Sequence, residues 1–166
     1  MAYVTTKEML LKAQQQGYAV GAFNVENLEM AQTVIQVAEE LQSPVILQTT
    51  PSTLQYATPA VYAGMVKALA RQATVPVALH LDHGSSFQLA IQGLCAGYSS
   101  VMIDGSQLPL EENIKVTKEV VRAAHAVGIP VEAELGKLAG KEDDLVSETG
   151  DLTCPEEAAV FTQETK

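Results

Sequence analysis

Short apolar runs alternate along this chain with longer stretches whose apolar positions recur every three or four residues. The short runs are 18–25 (YAVGAFNV), 44–50 (PVILQTT), 75–83 (VPVALHLDH), 99–105 (SSVMIDG) and 130–136 (PVEAELG). The periodic stretches fall at 28–42, near 59–73, near 86–96 and near 111–127. Near-continuous apolar strands separated by amphipathic helices predict an α/β fold with buried parallel strands. The strand starts recur about every thirty residues, the size of one βα unit with its crossover. An open doubly wound sheet and a (β/α)8 TIM barrel both fit this pattern. A helix at TTKEMLLKAQQQG precedes the first strand, with Thr5 and Glu8 spaced as a capping box and Gly17 as its stop. A lid over the bottom of a barrel is one use for such a helix. The segment 137–153 is Gly-rich, acidic and long for a βα loop, as a mobile functional loop or a solvated connection would be. A last helix is expected from Cys154-Pro155 to Thr165-Lys166. A barrel of this kind needs about 250 residues. The expectation is therefore a single domain over 1–166, holding the first five βα units of an incomplete barrel, with its first and fifth strands as open edges.

Composition narrows the function. Of the 166 residues 47% are hydrophobic, which excludes extended disorder, and the net charge is −10. No basic stripe is available for nucleic acid or an anionic membrane surface. With no tryptophan and three phenylalanines, a base-stacking platform is not expected either. Charge, Gly or Pro interrupts every apolar run before it reaches membrane-spanning length, and the N-terminus lacks a signal-peptide pattern. Cys95 and Cys154 form no metal-like pair and read as free thiols in a reducing compartment. A cytoplasmic protein is the expectation.

In parallel α/β folds the chemistry sits at the C-terminal ends of strands. Those ends carry Asn24, Thr49 and Thr50, Asp82 and His83, Asp104, and Glu134. HLDHGSSF is the sharpest local signal. His80 and Asp82 share one strand face, and His83 opens the loop. An aspartate beside a histidine at a strand end can pair an acid–base group with a metal ligand. The plainer readings are a hydrogen-bonded core histidine at His80 and a helix N-cap at Asp82. VMIDG and VEAELG each run apolar into a carboxylate, and buried carboxylates need a cation, a base or each other. Glu134 as a cap of the next element is the plain alternative. His125, in mid-helix, reads as surface or packing. One convincing histidine does not complete a His-based zinc site, so further ligands are expected beyond Lys166 or the site does not exist. No strand segment contains a lysine, which argues against Schiff-base chemistry.

GYAVGAFNV, SPVILQTTPST, VPVALHLDHGSSF, SSVMIDGS, LEENIKVTKEVV and VEAELGKLAGKEDD, in this order, resemble the class II, metal-dependent ketose-bisphosphate aldolases, from about Thr5 to the chain's end. That resemblance implies a (β/α)8 barrel, commonly a homodimer or homotetramer. It implies zinc-dependent, reversible aldol cleavage of fructose- or tagatose-1,6-bisphosphate to dihydroxyacetone phosphate and glyceraldehyde 3-phosphate, a lyase reaction of glycolysis and carbohydrate metabolism. By the same resemblance Asp82 is the acid–base at the C4 hydroxyl, and Glu142 moves the C3 proton. His83 is a zinc ligand, with Asp104 and Glu134 as carboxylates at a second or displaced divalent or monovalent cation position. Thr50 and Asn24 fall on the substrate side, Thr50 near a phosphate. The family's other zinc histidines and second phosphate segment follow the fifth strand, so the chain as written is expected to lack a complete zinc site and one phosphate pocket, and with them activity. The alternative is a non-catalytic partial barrel serving a longer aldolase-like subunit as an assembly partner.

Overall fold

The computed structural model describes residues 2–137, 140–142, 145–147, 150 and 152–166, with 140–142 and 145–147 described by backbone alone. Five strands, β1 (Gly21–Asn24), β2 (Val45–Thr49), β3 (Val77–Leu81), β4 (Ser100–Ile103) and β5 (Val131–Ala133), lie parallel and in chain order. Around them run α1 (Thr6–Gln16), α2 (Leu28–Glu40), α3 (Thr53–Tyr56), α4 (Pro59–Ala70), α5 (Phe87–Ala96), α6 (Leu110–Ala126) and α7 (Pro155–Glu164). A doubly wound sheet reverses its strand order at a switch point, whereas a barrel adds strands in sequence. The order β1-β2-β3-β4-β5 is that of the first five βα units of a barrel.

The strand pleat sorts two faces. Leu47, Val77, Leu79, Leu81, Val101 and Ile103 are buried on the helix side, with Ile35, Val66, Val120 and the small residues Ala63, Ala90 and Ala124. Each such leucine or valine contributes roughly 1.5–3 kcal/mol by leaving water, and the alanines let the helices approach closely. On the opposite face Ile46 and Ala78 meet Met9 of α1. That helix is tied to the start of β3, where Val4 N–H donates to the Val77 carbonyl and Val77 N–H to that of Ala2. It thus lies at the end of the sheet away from the strands' C-termini.

Several local expectations need revision. Thr5 is the N-cap of α1, but its side chain makes no capping hydrogen bond, so the capping box does not form; Gly17 does end the helix in the left-handed region. The first strand is exposed along all four residues, because β1 is a sheet edge, and Phe23 is 49% accessible. The buried reading of residues 18–25 gives way here to the open edge that an incomplete barrel implies. The segment expected as a loop after β5 contains an antiparallel hairpin, β6 (Gly140–Glu142) and β7 (Leu145–Ser147). The short α3 was also not predicted.

Candidate active site

Register builds the site. Asn24, Gln48, His80 and Ser100 are paired in turn across β1 to β4, so their side chains share the inner face. Two residues on, the same face reaches Asp82 and, past β4 and β5, Asp104 and Glu134. The turn after β3 is fixed by close backbone contacts. His83 has φ 48°, left-handed backbone that a side chain adopts only at a cost. Gly84 follows, where a Cβ would lie 2.2 Å from the Met102 carbonyl oxygen. Gly84 in turn accepts from Asp104 N–H at 2.9 Å. The β3 exit is thereby pressed against β4, which brings His83 to Asp104.

His83 Nδ1 lies 3.0 Å from Asp104 Oδ2 and 3.7 Å from Glu134 Oε2. One donor atom from each of the three residues falls within 4.8 Å of the other two. The hydrogen bond to Asp104 raises the His83 pKa to about 9, against the effect of burial, with the charges of Asp82, Asp104 and Glu134 adding to it. For Asp104, burial alone would push the pKa up; hydrogen bonds from His83 and Ser106 outweigh it and leave the carboxyl below its ordinary value. The Ser106 N–H donates to Asp104 Oδ1 at 3.0 Å. One imidazole and two carboxylates are a donor set that zinc or another divalent ion accepts, and three protein ligands leave room for a further one.

Beside this cluster Gln48 Nε2 donates to Asp82 Oδ2 at 2.6 Å and to Asn24 Oδ1 at 2.7 Å. Gln48 escaped the sequence reading, although a lone amide in the apolar run VILQT, two residues before Thr50, marks it. Thr50 is buried, with its hydroxyl 2.8 Å from Ser52 Oγ and 3.2 Å from Thr53 Oγ1, apart from the three-ligand cluster. Glu142 ends β6, and its side chain lies outside the described residues.

His80 is the core histidine of the plainer reading. Its Nδ1 is 2.9 Å from Ser100 Oγ, which itself accepts from Thr6 Oγ1 at 3.1 Å. The other ring nitrogen, Nε2, lies 3.5 Å from Glu132 Oε2. Burial, with His83 nearby, lowers the His80 pKa from 6.5 to about 4. Between those values the unfolded chain binds a proton that the folded chain refuses, so stability is full above pH 6.5 and falls as pH drops toward 4. Thermal midpoints of the parent and of His80→Gln, measured from pH 7 to pH 4.5, should converge on acidification. Parallel curves would refute this role.

An α/β barrel whose strand ends gather an imidazole and two carboxylates is a scaffold for cation-assisted chemistry. The sequence profile described as fructose-bisphosphate aldolase class-II matches residues 4–166, and the chain belongs to that family. A fructose-bisphosphate aldolase from Thermus caldophilus is 50% identical over 164 residues, covering 98% of this chain and 53% of that protein. One from Geobacillus stearothermophilus is 46% identical over 168 residues, covering 99% of this chain and 58% of its own. The chain thus spans a little over half the length of the curated relatives it matches. The crystal structure of the YdjI aldolase from Escherichia coli K12 superposes with a TM-score of 0.85 at 36% identity, over 98% of this chain and 57% of the other. Fructose-bisphosphate aldolase from Campylobacter jejuni gives 0.80 at 25% identity, over 99% and 55%. No helix among the described residues is long and apolar enough to cross a membrane.

Proposed function

We propose that residues 1–166 form one barrel domain contributing to divalent-cation-dependent, reversible aldol cleavage of a ketose-1,6-bisphosphate, with fructose-1,6-bisphosphate as substrate. The carrying observation is the His83–Asp104–Glu134 cluster set beside an Asp82 held by Gln48. Relatives named fructose-bisphosphate aldolase support the substrate. His83, Asp104 and Glu134 would hold zinc. A divalent ion there supplies Lewis-acid stabilisation of the negative charge that develops on the substrate's ketone oxygen as the C3–C4 bond breaks.

The remaining work falls to the protein's own groups. Asp82, as carboxylate, takes the proton of the C4 hydroxyl; the C4–O bond becomes the carbonyl of glyceraldehyde 3-phosphate as the C3–C4 pair leaves with C3. Glu142 returns a proton to C3, completing dihydroxyacetone phosphate. Gln48 donates to Asp82 Oδ2 and so orients the carboxylate. Asn24 and Thr50 line the substrate side. Cytoplasmic, glycolytic work in a homodimer or homotetramer is part of the same proposal, and free thiols at Cys95 and Cys154 suit a reducing compartment. The test is fructose-1,6-bisphosphate cleavage by the zinc-loaded chain with and without a chelator. Cleavage removed by chelation and restored by zinc supports the reading, and chelator-resistant cleavage overturns it; a chain that binds Zn²⁺ but cleaves nothing favours the non-catalytic assembly partner instead.

A further inference from the structure

The cluster's two carboxylates come from neighbouring strand ends, and one buried side chain reaches the backbone beside both. Asn113, near the start of α6, is 1% exposed. Its Nδ2 donates to the backbone carbonyl of Glu134 at 2.8 Å. Its Oδ1 accepts from Thr117 Oγ1 at 3.2 Å. That same Oδ1 packs against Gly105, the residue after Asp104, so closely that a Cβ at Gly105 would lie 2.2 Å from it. The amide head therefore fills the gap between the connection leaving β4 and the one leaving β5.

Glu134 needs such support. The pairing of β4 with β5 ends at Ile103 and Ala133, so Glu134 lies just past the last ladder pair of a sheet-edge strand. An asparagine is suited to the gap because it donates at one end and accepts at the other. Aspartate keeps the shape and loses the donor; leucine loses both functions. We propose that Asn113 is a positioning residue that fixes Glu134 relative to Asp104 and so sets the affinity of the cluster for a divalent cation. The inference rests on the cation site proposed above and adds to it a residue outside the ligand set. Ligands must be held to within about 0.5 Å to bind tightly.

The experiment is a Co²⁺ titration of the full chain, read by visible absorption, for the parent and for Asn113→Asp, Asn113→Leu and Tyr98→Phe. Tyr98 shares a buried hydrogen bond with Thr49 at 2.8 Å on the helix side of the sheet, and serves as the control for losing a buried hydrogen bond elsewhere. Both Asn113 variants should weaken Co²⁺ binding by about 10–100-fold and alter the absorption bands. Tyr98→Phe should lower the thermal midpoint and leave Co²⁺ affinity unchanged. Asn113 variants no weaker than Tyr98→Phe would overturn the proposal. Should the Asn113 variants fail to fold, Thr117→Val, which frees only Oδ1, carries the same comparison. A parent chain that takes up no Co²⁺ would refute the cation reading itself. The positioning claim is then decided by nuclear Overhauser contacts between the His83 ring and the Glu134 side chain. Contacts present in the parent and lost in Asn113→Asp support it, and contacts retained refute it.

Discussion

In a full-length barrel, Asp82→Ala is expected to lower the rate of fructose-1,6-bisphosphate cleavage by about 10²–10⁴-fold, the range for removing a positioned acid–base group. The expectation follows from place as much as from residue type. Asp82 continues the inner face of β3 beyond His80, next to the cation cluster, and Gln48 Nε2 fixes one of its oxygens at 2.6 Å. Divalent-cation affinity should change little, because Asp82 is not one of the three clustered ligands. Asp82→Asn keeps the side chain's shape and should lose as much rate, which separates proton transfer from packing. Near-parent turnover in either variant would remove Asp82 from the mechanism.

His83→Ala has the second large effect, on cation binding rather than on proton transfer. It removes the one nitrogen donor of the cluster and leaves Asp104 and Glu134 facing each other across the gap. Tight Zn²⁺ binding should be abolished. In the parent, His83 carries a proton up to about pH 9 because Asp104 accepts its hydrogen bond. A cation must displace that proton, so affinity should rise steadily from pH 6.5 to pH 9, with proton release on binding. The cation-free chain has the opposite tendency. His83 contributes stability that is complete below pH 6.5 and is lost as pH climbs through about 9. Zn²⁺ should therefore stabilise the chain most on the alkaline side. A pH-independent affinity would show that the imidazole is not a ligand.

Much of this arrangement is legible in the sequence. The five strands follow from their apolar runs, and the rim residues from the rule that strand C-termini carry chemistry, since period-two alternation places Asp82 two residues past His80 whatever the sheet does around them. What the sequence leaves open depends on neighbours. The exposure of β1 follows from its place at the edge of an incomplete barrel, not from its own apolar run. Gln48 acquires its role only when register sets it between Asn24 and Asp82. Asn113 reads as an ordinary helix residue in LEENIK until Glu134, twenty-one positions away, comes within reach of its amide. His80, the residue with two readings, is decided by Ser100 and Thr6, which no spacing rule links to it.

The most direct measurement is zinc K-edge X-ray absorption on the Zn²⁺-loaded chain, compared with His83→Ala. The account predicts a nitrogen and oxygen shell at about 2.0–2.2 Å with imidazole scattering that disappears in the variant. A shell dominated by sulfur, or the same imidazole signal in both proteins, would contradict it.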